Sequence, residues 1–192
     1  MIRTQRLQLI PATVELALAD LAGRAELERR LQANVPESWP PELYDAAAIE
    51  YTIQQLRQQP EPHGWGQYYF IRAEPDLPSV VIGIGGYKVP PDDEGSVEIG
   101  YSVVPEYRRH GYATEATFGL VAHAFADDRV RQVIAETLPE LVGSIGVLEK
   151  IGFTFVGEGS EAGVIRYALR RERYSTPSPR GNERSSSHVV IG

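Results

Sequence analysis

Residues 96–125 read SVEIGYSVVPEYRRHGYATEATFGLVAHAF, and the fold turns on how this stretch is parsed. It reads as a buried strand, a basic glycine-bearing turn and a helix. The turn, Arg108-Arg109-His110-Gly111-Tyr112-Ala113, puts Gly111 just before a helix whose early residues include Thr114 and Glu115. Backbone N–H groups at a helix N-terminus have no intrahelical partner and carry partial positive charge, so the turn suits a phosphate. Gly111 permits the close approach or unusual dihedral that a phosphate cradle demands, and Arg108 and Arg109 add cationic donors. Taken alone, a basic turn before a helix is more often a solvated connection.

The flanking sequence supplies the context. Downstream, residues 130–137, VRQVIAET, have the continuous apolar character of a strand inside a sheet. Pro139 can open a helix carrying Ile145, Leu148 and Ile151, with Gly152 at its end, and residues 153–156 and 164–169 read as the last strands. Upstream, residues 4–11 alternate as an opening strand stopped by Pro11. Thr13 caps an amphipathic helix that ends at Gly23, and a short helix over residues 25–32 follows. Pro36, Pro40 and Pro41 stiffen a loop around Trp39, and Asp45 caps a helix over residues 46–59 ended by Pro60. Residues 61–66 read as a loop. Residues 68–72 and 80–87 are strands joined by a turn, and Gly83, Gly85 and Gly86 mark the second as the site of a bulge or of a ligand's approach to backbone.

Composition bounds the possibilities. A chain of 192 residues with 42% hydrophobic and 23% charged residues has the make-up of one main domain. We expect a domain over residues 1–174 and a Ser/Pro/Arg-rich tail over 175–192. Within that tail Val189-Val190-Ile191 could pack on a neighbouring molecule, so a homodimer stays open. The N-terminus has no signal-peptide pattern, and no apolar run approaches the ~20 residues that span a bilayer. The expectation is a cytoplasmic protein without membrane contact. The absence of cysteine excludes disulfides and thiolate nucleophiles. Four histidines, His63, His110, His123 and His188, lack ligand spacing, so no metal site is expected. A net charge of -7 argues against nucleic-acid binding, which needs a basic surface, and against an acidic acceptor.

The order of these elements, together with three stretches, resembles the GNAT superfamily of acyl-CoA-dependent N-acetyltransferases, and within it the RimJ/RimL type that acetylates ribosomal-protein N-termini. The stretches are Thr4-Gln5-Arg6-Leu7-Gln8-Leu9; Glu98-Ile99-Gly100-Tyr101 through Gly111-Tyr112-Ala113-Thr114-Glu115-Ala116; and residues 144–153. The superfamily's diphosphate signature, Arg or Gln, two residues, Gly, one residue, Gly or Ala, is met by Arg108, Gly111 and Ala113. The resemblance covers about residues 1–172.

It implies an α/β (α+β) fold with a mixed, mostly antiparallel sheet whose two central strands, residues 97–104 and 130–137, splay apart. Acetyl-CoA is the implied acetyl donor, its pantetheine arm on backbone near Ser102, Val103 and Val104 and its diphosphate on amides of Arg109, His110, Gly111, Tyr112, Ala113 and Thr114. A backbone N–H near Val103 then stabilises the thioester oxygen as an amine attacks directly, with no covalent enzyme intermediate. The amine must lose a proton to a base, directly or through water. Glu98 is the first candidate and Glu136, on the facing strand, its rival; either could instead be an ordinary paired carboxylate. Glu115 suits a structural role in the first turn of its helix.

The sequence departs from the family pattern twice. Many relatives carry a tyrosine acid where Leu148 stands; RimL-like members use a serine, matched here by Ser144, for the leaving thiolate. An asparagine that bonds the pantetheine arm is replaced by Leu141. The implied acceptor is a primary amine: a protein N-terminus, a polyamine or another small molecule. Trp39, Tyr44, Trp65 and Tyr68 are candidates to line its pocket. The alternatives are a non-catalytic CoA-binding or regulatory module on the same fold, and an unrelated α/β domain.

Overall fold

The structure, a computed structural model, describes residues 1–58 and 64–174. Part of the expected loop at residues 61–66 and the whole tail over residues 175–192 lie outside the described residues. The domain is built on one eight-stranded sheet in the order β1-β2-β3-β4-β5-β6-β8-β7. Its strands are β1 (Ile2–Arg3), β2 (Leu7–Pro11), β3 (Gln67–Arg72), β4 (Val80–Tyr87), β5 (Ser96–Val103), β6 (Gln132–Thr137), β7 (Thr154–Glu158) and β8 (Ile165–Arg170). Every pairing is antiparallel except β5 with β6. The helices are α1 (Val14–Ala22), α2 (Arg24–Leu31), α3 (Ala46–Gln58), α4 (Tyr112–Phe125) and α5 (Val142–Ile151).

Strand β3, QYYFIR, shows why the sheet is covered on both sides. Side chains alternate along a strand, so Tyr68 and Phe70 enter one apolar cluster with Leu120 and Leu148, from α4 and α5. Tyr69 and Ile71 enter a second, with Ala17, Leu27 and Ile49 from α1, α2 and α3. Strand β4 is buried along its whole length. Its glycines answer the question left open by the sequence. The register shifts at Phe70/Ile71, and a Cβ on Gly85 would lie 2.7 Å from the Phe70 ring and 2.6 Å from the Gly100 carbonyl oxygen. Gly83 and Gly85 thus make room for a core aromatic beside a bulge.

Two boundaries move for reasons that lie far along the chain. The opening strand expected over residues 4–11 begins only at Leu7, after the separate short β1, because Thr4 folds into a turn, its N–H donating to the Leu7 carbonyl, and its hydroxyl donates to the Glu115 carboxylate at 2.6 Å. The helix expected to open at Pro139 begins at Val142, since Leu138 to Leu141 close a turn first. Trp39 and Tyr44 do not face a pocket. They are buried, and the Trp39 Nε1–H donates to Asp20 Oδ1 at 2.7 Å, beside a 3.0 Å bond from the Tyr69 hydroxyl to Oδ2. Burial pushes the Asp20 carboxyl above its ordinary pKa despite these donors.

Candidate active site

Strands β5 and β6 pair only from Ser96 opposite Gln132 to Ile99 opposite Ala135, although β5 runs on to Val103 and β6 to Thr137. Beyond that point the two strands part. In an extended strand successive residues point their main-chain groups to opposite edges. The Glu98 carbonyl accepts from the Lys88 N–H at 2.9 Å and the Val104 N–H donates to Ile82 at 3.0 Å, both toward β4. By alternation, the N–H groups of Tyr101 and Val103 face the gap. Ser102, opposite Ile84, has its main chain turned toward β4, and the Val104 carbonyl takes the Tyr107 N–H at 3.1 Å. Of the three residues expected along the pantetheine arm, Val103 is the one whose N–H points into the opening.

The gap runs into the basic turn. After a single 3-10 turn over Pro105–Tyr107, Arg109 adopts φ 63° and Gly111 φ 84°. These left-handed positions curl the chain so that, among the described residues, no N–H from Arg109 to Thr114 donates to a protein acceptor. A row of unpaired amides at the start of a helix is an anion cradle. At Gly111 the need for glycine is conformational: a Cβ would meet nothing closer than the Arg6 guanidinium at 3.4 Å, but the dihedral is one that L residues rarely adopt.

The two arginines differ in their partners. Arg108 donates Nε–H to the Val103 carbonyl at 2.8 Å and pairs with Glu42 at 3.1 Å, so it braces the end of β5. Arg109, among the described residues, pairs with no carboxylate. His110 is exposed and its Nδ1–H donates to the Arg108 carbonyl at 2.7 Å.

Glu115 fixes the turn from behind. It accepts from Thr4 Oγ1 at 2.6 Å and from the N–H and Nε–H of Arg6, each at 2.7 Å, and the Arg6 guanidinium lies 4.4 Å above the Tyr112 ring. Burial would raise the Glu115 carboxyl, but the hydrogen bonds from Thr4 and Arg6 outweigh it and hold the group below its ordinary range. The opening Thr4-Gln5-Arg6 is thereby tied to the first turn of α4.

Across the gap, the Tyr101 hydroxyl lies 3.2 Å from the Ser144 carbonyl oxygen and 3.3 Å from Ser144 Oγ. Burial pushes the Tyr101 phenol up to about 12, so it stays a proton donor at neutral pH. The sequence places Tyr101 in a motif stretch but assigns its side chain no role. The alternation of Val97, Ile99 and Tyr101 on one face was the available signal, but its partner is 43 positions away. Leu148 is fully buried in the core, and Leu141 stands at the N-terminus of α5.

The second concavity is a cleft of about 580 Å³ at the end of β2, β3 and β4, beneath α3. Trp65 and Tyr68 line it; Trp39 and Tyr44 do not. Glu98 forms part of its wall. The Glu98 side chain is largely shielded, and its Oε1 lies against the Lys88 ammonium with no other donor in line. Glu136 is differently placed. Its carboxylate accepts from the Ser160 N–H at 2.9 Å, the Ser160 hydroxyl at 2.7 Å and Arg166 Nε–H at 2.8 Å. Against the upward push of burial, these bonds hold Glu136 below its ordinary pKa, as a brace between β6, β8 and the β7–β8 loop. His123 packs edgewise among Trp65, Tyr68 and Tyr87, and burial lowers its pKa. Among the described residues no cluster of His, Asp and Glu could hold a metal ion, and no helix is long and apolar enough to cross a membrane.

Comparison with known proteins agrees with this geometry. Residues 6–154 match the acetyltransferase (GNAT) domain family. An uncharacterized N-acetyltransferase of Bacillus subtilis, YjdG, is 26% identical over 163 residues, covering 84% of this chain and 94% of that protein. Among solved structures, an acetyltransferase (GNAT family) from Bacillus anthracis superposes with a TM-score of 0.59 at 19% identity, over 89% of this chain and 98% of the other. RimJ of Mycobacterium smegmatis, in complex with a CoA-disulfide, gives 0.57 at 22% identity, over 86% and 82%. A splayed β5/β6 pair leading into an amide-lined turn, in a chain matched over most of its length, makes this protein a member of the GNAT family, an acetyl-CoA-dependent N-acetyltransferase.

Proposed function

We propose that the chain moves an acetyl group from acetyl-CoA to a primary amine by direct attack, with Glu98 as the base that takes the proton from the attacking ammonium. The observation that carries this reading is the position of Glu98: it is in the wall of the large cleft, on the same strand that opens the gap beyond Ile99. Tyr101, whose N–H faces the gap, is three strand positions further on, about 10 Å by strand rise. One or two waters span that distance, so Glu98 acts through water.

The amides from Arg109 to Thr114 hold the diphosphate, and the N–H groups of Tyr101 and Val103 hold the arm and polarise the thioester carbonyl. The amine nitrogen bonds to the carbonyl carbon, the carbon–sulfur bond breaks, and the thiolate takes a proton from Ser144, whose Oγ is in reach of the Tyr101 hydroxyl; Ser144 regains a proton from water as the nitrogen's second proton and the one held by Glu98 pass to solvent. Glu136 has no part in the transfer in this reading, since Ser160 and Arg166 engage both its oxygens. We place the reaction in the cytoplasm. The test combines two measurements: acetyl-CoA raises the melting temperature of a protein that binds it only when folded, and an amine then accelerates thiol release. A shift without amine-dependent thiol release would leave a CoA-binding module and overturn the catalytic reading.

A further inference from the structure

Resting on that acetyltransferase reading, we infer that the acceptor carries a single amine on an apolar, aromatic-contacting body, and that polycationic amines are not its substrates. The argument begins with the charges of the cleft. Among the described lining residues, Glu98 and Lys88 are the charged ones, and they face each other. Oε1 of Glu98 meets the Lys88 ammonium, which leaves Oε2 for one incoming ammonium. A second ammonium finds no further anion among the described lining residues and meets Lys88, and a buried charge without a partner is strongly disfavoured. None of Asp92, Asp93 and Glu94 in the acidic turn beyond the rim lines the cleft, and Asp92 Oδ1 accepts from the N–H groups of Glu94 and Ser96 within its own turn.

The walls select the rest of the acceptor. Leu56, Trp65, Tyr68, Tyr87, Val89 and Pro11 present an apolar and largely aromatic lining. Trp65 stands edge-on to Tyr87 at 4.8 Å between ring centroids, so the wall is a packed aromatic corner. His123 behind it stays neutral at pH 7, because burial lowers its pKa, and so adds no cation. A volume of about 580 Å³ lies within the roughly 300–1,000 Å³ of pockets that hold small ligands. It accommodates an arylalkyl amine or the first residue or two of a peptide with an apolar N-terminal side chain. These share one chemistry, a lone amine on an apolar body.

The experiment compares acceptors with the intact protein and acetyl-CoA, measuring thiol release with phenethylamine, phenylalanyl-glycyl-glycine, spermidine and kanamycin. The expected result is a kcat/KM for phenethylamine or the peptide at least about tenfold above that for spermidine and kanamycin, a tenfold step being ~1.4 kcal/mol of discrimination. The better of the first two identifies the source of the amine. Trp65→Ala should raise KM for that acceptor with little change in kcat. Tyr51, exposed on α3 at the mouth of the cleft, offers a second variant that leaves the core intact. Tyr51→Asp supplies a second carboxylate and should shift the acceptor ratio several-fold toward spermidine. Spermidine or kanamycin as the preferred acceptor of the unaltered protein would overturn this inference while leaving the acetyltransferase reading intact. Acetyl-CoA binding with no thiol release for any amine would overturn both.

Discussion

The two halves of the proposed active site are built from different parts of the chain. The half proposed for acetyl-CoA is made of main chain: N–H groups of β5 facing a gap and amides of a turn curled by Arg109 and Gly111. The half proposed for the acceptor is made of side chains gathered from β2, β3, β4, β5 and α3 around Glu98. A main-chain site tolerates many side chains but depends on dihedrals and on the order of elements. A side-chain site is defined by identities that change freely while the fold persists. The first half is therefore the one a large family can share, and the second the one that can differ between members.

Substitutions in each half should separate binding from chemistry. Gly111→Glu attacks the main-chain half with both a disfavoured dihedral and a carboxylate in an anion cradle. It should abolish the acetyl-CoA thermal shift, a loss of at least about a hundredfold in affinity, or ~3 kcal/mol. A normal shift in that variant would show that the diphosphate lies elsewhere. Glu98→Gln addresses the other half. We expect thiol release to slow about a hundredfold with the acetyl-CoA shift preserved, whereas Glu136→Gln should leave the rate nearly unchanged. An unaltered rate in Glu98→Gln across the pH range would remove Glu98 from the chemistry.

Glu115→Ala tests the support behind the cradle. It strips partners from Thr4 and Arg6 and should cost about 2–3 kcal/mol of stability, read by denaturant unfolding. The Glu115 carboxyl is held below its ordinary value of 4.5, so its contribution is complete above that pH and is lost as the pH falls through the lower folded value. The stability gap between the native protein and Glu115→Ala should therefore close on acidification below about pH 4.5. A gap of constant size would mean that the charge of Glu115 is not what holds the N-terminus. The smallest loss expected is that of Tyr101→Phe, which deletes one hydroxyl beside Ser144. A loss of about 1 kcal/mol, some fivefold in rate with acetyl-CoA binding retained, would place the phenol in the proton path.

What could be read from the sequence follows the same division. The span of β4 and the glycine-bearing turn with its following helix are visible in local periodicity and punctuation, and the structure reproduces them. The break between β1 and β2 is not, because it is imposed by Glu115, over a hundred positions away. Local sequence favours the core over a pocket for Trp39 and leaves Tyr44 a pocket candidate; Asp20, beside both, is what the fold adds to bury them. The commitment of Arg108 to Val103 and Glu42, and the meeting of Tyr101 with Ser144, depend on where remote side chains arrive in space. Local pattern carries the main-chain site; only the assembled fold shows which carboxylate lies in the cleft.

The clamp from Glu115 to Thr4 and Arg6 also bears on the order in which the protein assembles. Its partners are separated by 109 residues, and closing a loop of that length costs about 4 kcal/mol of chain entropy before any contact repays it. During synthesis the first residues emerge early, but their anchor is made only after more than half of the chain has been produced. Until then β2 can have β3 beside it but not α4 behind it, and the turn proposed to hold the diphosphate has no brace. Competence to bind acetyl-CoA is thus a late event in folding, and the cofactor becomes a ligand of the finished domain rather than a template for it.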